Sequence, residues 1–279
     1  MRFNIFTRSK KVAVVTGATG GLGKQLVKHL LAKHYKVVMV ARNLMQMEQI
    51  SLHFGKNVTS CICDISQPNE IHYLLQEIRS RFGQIDALIH CAGNIYPGPL
   101  DLQSDDMIQK QIQTNLTGAI IVTKELLPLL KRNSSIIFIN SLGGLLPLKG
   151  SALYSAGKFG LRGFALALSM ELRPKRIYVS SIFPGAIDTK MLRQEIKNGG
   201  SNLNFCTPPL SADEVCRTVI TALRKKKQEY YLPKWSGIQI KLVMLKPALV
   251  QLLMPYMERK GKKGKKIWAK RNRNNLQQD

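Results

Sequence analysis

Short apolar runs recur along this chain, with longer amphipathic stretches between them. Residues 12–15, 37–40, 58–62, 87–89, 136–139, 179–183 and 230–232 are short, β-branched and almost uninterrupted by charge. Such runs predict strands buried on both faces. Residues 22–32 and 152–172 carry helical periodicity, and so do residues 107–130, with Pro128 near their end. Strands that alternate with helices predict an α/β fold with a parallel sheet covered on both sides. The pattern closes near residue 233, which divides the chain into an N-terminal arm (1–10), a main domain (11–233) and an extension (234–279). No internal repeat is visible.

Composition narrows the picture. At 279 residues and 44% hydrophobic content the chain can bury a full core. Cys61, Cys63, Cys91, Cys206 and Cys216 are odd in number, and Cys61-x-Cys63 is too tight for a zinc site. Reduced structural thiols, no metal and a cytoplasmic setting are expected. The first eleven residues lack the apolar run of a signal peptide, and no stretch is long and apolar enough to predict a spanning helix.

The net charge is +25, a field that attracts phosphate cofactors, nucleic acid or acidic lipid. Nine basic residues lie between Arg259 and Arg273 with no acid among them, which leaves 25 − 9 = +16 on the rest. Nucleic acid is not the expected partner, because the tail lacks interleaved aromatics and any helix-turn-helix pattern.

Tyr154 and Lys158 are the strongest chemical signal. Residues four apart share a helix face, and an ammonium beside a phenol favours the phenolate, which suits proton transfer. Thr16-Gly17-Ala18-Thr19-Gly20-Gly21-Leu22-Gly23 follows the first strand and opens the first helix. Glycines there let backbone approach a phosphate, and the helix N-terminus supplies amide donors. The second strand ends Val40-Ala41-Arg42 with no carboxylate to repel a ribose 2′-phosphate. Arg42 suits such a phosphate, although a solvated arginine would satisfy the same sequence. NADP(H) is therefore expected over NAD(H). Asp64 suits an adenine amino group, a helix cap, or both.

With Asn115, Ser141 and Pro184-Gly185 in the same order, the chain resembles the short-chain dehydrogenase/reductase family over about residues 10–233. The resemblance implies a three-layer, Rossmann-type doubly wound parallel sheet of about seven strands and NAD(P)-dependent carbonyl or alcohol chemistry. It implies that Tyr154 is the acid/base, that Lys158 holds the nicotinamide ribose and lowers the Tyr154 pKa, that Ser141 holds the substrate oxygen, and that Asn115 positions a relay water. It places cofactor contacts at Gly17, Thr19, Gly21, Leu22, Gly23, Arg42, Asp64, Ile65, Ala92, Gly93, Tyr154, Lys158, Pro184, Gly185 and Thr189. One departure stands out. The family pattern Asn-Asn-Ala-Gly reads His90-Cys91-Ala92-Gly93 here. Cys91 cannot make an amide's paired hydrogen bonds; His90 is expected to be a packed strand residue, and Asn94 is a candidate to compensate.

Residues 191–208 are expected to set substrate selectivity, with Met191, Leu192, Ile196, Leu203 and Phe205 as apolar surface and Gly199-Gly200 as a hinge. A carbonyl or alcohol substrate that is apolar or lipid-like fits them. Beyond the domain, residues 238–245 and 248–254 are strongly apolar, interrupted by Lys241, Lys246 and Pro247, and the lysine-rich run follows. This predicts a helical basic extension. Residues 238–273 suit peripheral attachment to an anionic membrane surface on its cytoplasmic face. A cover for the substrate pocket or a homo-oligomer contact would use the same residues. A different class of function, a catalytically idle dinucleotide-binding sensor or scaffold, would keep the glycine turn without needing Tyr154 and Lys158.

Overall fold

A computed structural model describes residues 10–272; nearly all of the N-terminal arm, and Arg273, lie outside the described residues. Seven parallel strands form one sheet in the order β3-β2-β1-β4-β5-β6-β7. They are β1 (Val12–Thr16), β2 (Lys36–Ala41), β3 (Val58–Ile62), β4 (Ile85–His90), β5 (Leu130–Ile139), β6 (Tyr178–Pro184) and β7 (Glu229–Leu232). Every apolar run read as a strand is one.

Strand residues alternate between two cores, as the two-residue period of a pleated strand requires. Val12 and Val14 point to one face with Phe138 and Leu161, while Ala13 and Val15 point to the other with Leu26 and Val215. Helices α1 (Gly21–Leu31), α2 (Leu44–Phe54) and α3 (Pro68–Phe82) link the first four strands. The strand order reverses between β1 and β4, so a crevice opens beyond their carboxyl ends.

The helical stretch expected over 107–130 is divided. Helix α4 (Asp105–Ile112) starts at Ser104, whose side chain accepts from the Met107 amide at 3.3 Å. It widens into a π turn, Gln113–Thr117, before α5 (Gly118–Leu126), and Pro128 sits in a short 3-10 turn from which β5 departs. A π turn holds one extra residue and re-aims the side chains within it, and here it contains Asn115.

Helix α6 (Ala152–Leu172) runs for 21 residues and carries Tyr154 and Lys158 in its first two turns. After β6 come α7 (Lys190–Lys197), a 3-10 turn (Asn202–Phe205) and α8 (Ala212–Lys225). The Gly199-Gly200 pair follows the C-cap of α7. Gly199 has φ +79, and a Cβ on Gly200 would lie 2.3 Å from Glu195 Cγ.

The extension folds into α9 (Lys234–Val243) and α10 (Pro247–Arg271). Lys246-Pro247 makes the elbow between them, where proline has no amide to donate. Gly237 packs on the Tyr231 ring, and Glu229 ties α6 to α9 through Arg162 (2.8 Å) and Lys241. The lysine-rich segment continues α10 as one helix. Its inward seam is Val250, Met254, Met257, Gly261, Gly264 and Trp268, spaced four and three in turn. A Cβ on Gly261 or Gly264 would lie 2.1 Å from the carbonyl oxygen of Asn202 or Phe205. Glycine alone lets the helix come this close to the 3-10 turn. Trp268 then covers Phe205 with ring centroids 5.6 Å apart, and Asn202 donates to Glu258 at 3.0 Å.

Candidate active site

The glycine turn is held open as a cradle. Gly17 has φ +67, and a Cβ there would lie 2.6 Å from Ala92 Cα; one on Gly23 would lie 2.1 Å from the Gly17 carbonyl oxygen. Helix α1 begins at Gly20 with no side-chain cap and no acid in its first turn. Its free amides and positive dipole end therefore face the crevice. By contrast α8 is closed by a full Ser211–Glu214 capping box.

The crevice is a groove of about 700 Å³. Every residue expected at the cofactor lines it: Gly17, Thr19, Gly21, Leu22, Gly23, Arg42, Asp64, Ile65, Ala92, Gly93, Tyr154, Lys158, Pro184, Gly185 and Thr189. Its volume falls within the range of about 300–1,000 Å³ common for cofactor sites. The uncapped helix and the side-chain-free cradle fit a pyrophosphate, so the residues present fit a dinucleotide.

At the adenosine end, Arg42 lies 3.5 Å from Asp64 and is largely exposed. Asp64 does not cap α3, whose N-cap is Gln67. Its Oδ1 accepts from the Ser66 amide (2.9 Å) and hydroxyl (2.8 Å). Burial raises its pKa, but those bonds and Arg42 outweigh it and hold the carboxyl below its ordinary value.

The departure after β4 is resolved by Thr16, whose hydroxyl accepts from the Cys91 amide (3.2 Å) and the Ala92 amide (3.3 Å). Asn94 does not replace the missing amide at position 91. It locks Asn115 instead: Asn115 Nδ2 donates to the Asn94 carbonyl (2.8 Å) and to its Oδ1 (3.0 Å), and Asn115 Oδ1 accepts from the Asn94 amide (3.2 Å). His90 is a packed strand residue. It is buried, stacks on Phe138 at 4.8 Å, bonds Thr123 at 2.9 Å, and is driven neutral by burial, with its pKa pushed down to about 3.

The reactive side chains gather where the groove floor meets α6. A Cβ on Gly93 would lie 3.0 Å from Asn115 Oδ1 and 3.7 Å from Lys158 Nζ, so all three share a small volume. Lys158 is buried and donates to the Ile139 carbonyl at 3.0 Å. Burial brings its pKa down to about 8. Lys158 Nζ stands 5.7 Å from the centre of the Tyr154 ring. The Tyr154 pKa is pushed up to about 12 by burial, a Ser141 hydrogen bond works downward, and Glu195 adds to the rise. Desolvation of the phenol dominates, and the ammonium is engaged with a backbone carbonyl.

Ser141 lies two residues past β5, and its hydroxyl accepts from the Gly143 amide at 3.0 Å. It also borders a second cavity, of about 280 Å³, which meets the groove at Ser141, Leu148, Gly185, Ala186 and Asn204. This cavity is walled by Leu142, Leu146 and Leu203, by Ile240 and Val243 of α9, and by Leu253, Tyr256, Met257 and Lys260 of α10. Three groups at the site were not singled out from sequence. Asn140 is buried with an unpartnered Nδ2 and accepts from the Ser141 amide at 2.9 Å. Glu195 and Asn204 pair at 2.7 Å on the groove wall, and burial raises Glu195 to about 7. A polar Asn140 ending an apolar strand was the visible signal; nothing in the sequence marks Glu195. Among the described residues, no group of three or more His, Cys, Asp or Glu could hold a metal ion.

The short chain dehydrogenase family model matches residues 11–199. The chain belongs to this family. Its members are NAD(P)H-dependent oxidoreductases, and the chain is an enzyme of that class. It is 34% identical over 185 residues to the 3-oxoacyl-[acyl-carrier-protein] reductase FabG of Salmonella typhimurium, covering 66% of this chain and 76% of that one. Mouse dehydrogenase/reductase SDR family member 7B is 30% identical over 268 residues, covering 91% and 83%. Mouse 3-ketodihydrosphingosine reductase is 31% identical over 225 residues, covering 77% and 64%. Among solved structures, a variant of the actinorhodin polyketide ketoreductase with NADPH matches with a TM-score of 0.73 at 27% identity, covering 82% of this chain and 97% of that one. A short-chain dehydrogenase from Streptomyces avermitilis shares the fold, with a TM-score of 0.75 at 20% identity and coverage of 90% and 97%.

Proposed function

We propose that this enzyme interconverts a carbonyl and an alcohol with NADP(H), on an apolar substrate presented at an anionic lipid surface. One observation carries the reading: Ser141 stands where the dinucleotide-sized groove runs into an apolar cavity, and Tyr154, hydrogen-bonded to it, lines the groove side. The cofactor supplies hydride. The glycine turn and the free start of α1 hold its phosphates. Lys158 and the Asn94–Asn115 pair fix the groove floor. Ser141 orients the substrate oxygen, and Tyr154 Oη gives it a proton in reduction or removes one in oxidation. Burial makes the phenol a weak acid by itself, and the Ser141 hydrogen bond offsets part of that rise.

The apolar substrate class is supported by the leucine-lined cavity. It is also in keeping with two relatives whose names specify 3-oxoacyl and 3-ketodihydrosphingosine substrates. The preference for NADP(H) rests on Arg42 at the end of β2 with Ala41 in place of a carboxylate. NADPH oxidation over ketones of increasing chain length tests the whole reading. Turnover should rise with chain length and be greater with NADPH than NADH. Equal rates on acetone-sized and long ketones would remove the apolar substrate, and no oxidation of any ketone would remove the reaction.

A further inference from the structure

Helices α9 and α10 turn large apolar side chains outward as well as inward. On α9 and the elbow, Trp235, Ile238, Leu242 and Leu245 follow one another at helical spacing, and all are exposed, Leu245 by 78%. On α10, Leu249, Leu252 and Tyr256 repeat this on the side away from the Val250–Trp268 seam, with Leu252 75% exposed. A soluble surface rarely carries so many large apolar residues together. Further along α10 the outward positions become Arg259, Lys263 and Lys266. From 234 to 271 there are eleven Lys or Arg and one acid, Glu258, which is engaged by Asn202.

We propose that the outward face of the α9–α10 elbow is a lipid-contact surface, and that the substrate cavity opens through it. The reading rests on the apolar-carbonyl function proposed above. Apolar side chains followed by a lysine field fit the boundary between acyl chains and anionic headgroups. A nucleic acid would satisfy the lysines but leave Trp235 and the leucines in water. A second copy would cover the leucines, but a two-fold contact would set this unneutralised positive face against itself. The link to the cavity is direct. Leu253, Tyr256 and Lys260 line it and are exposed on the same helix. A ketone dissolved in the bilayer would pass beneath Tyr256 toward Ser141 without crossing water.

The test uses the full chain. Vesicles of phosphatidylcholine alone are compared in flotation with an equal mixture of phosphatidylcholine and phosphatidylglycerol at low salt. The parent should float with the anionic vesicles. Leu242→Ser/Leu245→Ser/Leu252→Ser should lower partitioning at least about tenfold, since three apolar side chains are removed from the lipid-facing patch. Lys262→Glu/Lys263→Glu/Lys266→Glu should do the same on anionic vesicles only. Both variants should keep NADPH affinity and parental turnover of a short water-soluble ketone, which separates this surface from the reaction itself. A parent that stays at the bottom of the gradient with both vesicles overturns the proposal. So does a parental dimer that the leucine variant converts to monomer, because a second copy then occupies the face.

Discussion

Tyr154 and Lys158 stood out by their spacing together with the glycine turn, Asn115, Ser141 and Pro184-Gly185, but their electrostatics did not. The sequence places an ammonium one turn from a phenol. Only the folded chain shows that the ammonium is bound to the Ile139 carbonyl and that burial governs the phenol. Tyr154→Phe keeps the ring and removes the transferable proton. Turnover should fall by about 10²–10⁴-fold, with NADPH affinity by fluorescence titration nearly unchanged. Arg42 tests cofactor choice. Its side chain is 76% exposed, so a phosphate contact there is well screened, of the order of 0.5–1.5 kcal/mol. Arg42→Ala should weaken NADPH about three- to tenfold in calorimetric titration and leave NADH unchanged. Equal losses for both cofactors would assign Arg42 to general positioning. Asn140 was marked only by being a polar residue after an apolar strand, and Glu195, among Arg193, Gln194 and Lys197, by nothing; the meaning of both comes from neighbours that the fold supplies.

The seven strands could be read because each holds a short apolar run; the inner strands are covered on both faces, while the edge strands β3 and β7 are only partly buried. The division of 107–130 could not, since a π turn leaves hydrophobic periodicity almost intact while re-aiming Asn115. The packing of α10 was equally hidden. Glycines at 261 and 264 among lysines look like helix weakeners in a solvated tail, whereas they are contact points against Asn202 and Phe205. Gly261→Ala should gain intrinsic helix propensity yet lose more through the clash, about 1–3 kcal/mol. Hydrogen exchange should quicken in residues 202–205 and 247–271, and KM for a long-chain ketone should rise while the sheet amides are unaffected. Glu195 ends the same local system. Burial pushes its folded pKa up to about 7, above the ordinary 4.5. The folded state therefore binds the extra proton, and this contribution, complete below pH 4.5, is lost as pH rises through 7. His90, pushed down to about 3, works in the opposite sense as pH falls below its ordinary value. The comparison of parent and variant thus isolates Glu195. In urea titrations over a pH series, Glu195→Gln should gain stability relative to the parent as pH rises from 4.5 to 7, by on the order of 2–4 kcal/mol at the top. A constant difference across that window would show that the Glu195 pKa is the same folded and unfolded.

At the scale of the molecule, the strand order puts the switch point at β1 and β4, and the groove follows from that topology with little help from individual residues. The cavity has a different origin. Its inner wall belongs to the turn after β5, and its outer wall to helices that come after the last strand. These two construction dates have a consequence for the chain as it leaves the ribosome. Residues 12–232 hold everything the sheet and the dinucleotide cradle need, and folding during synthesis proceeds from the N-terminus. The nascent protein can thus grip its cofactor while the 202–205 turn still lacks the glycine-faced helix that presses on it. Until α10 is translated, the apolar chamber beside Ser141 has no far side. For that interval the leucines of its inner wall, Leu142, Leu146 and Leu203, wait without their cover.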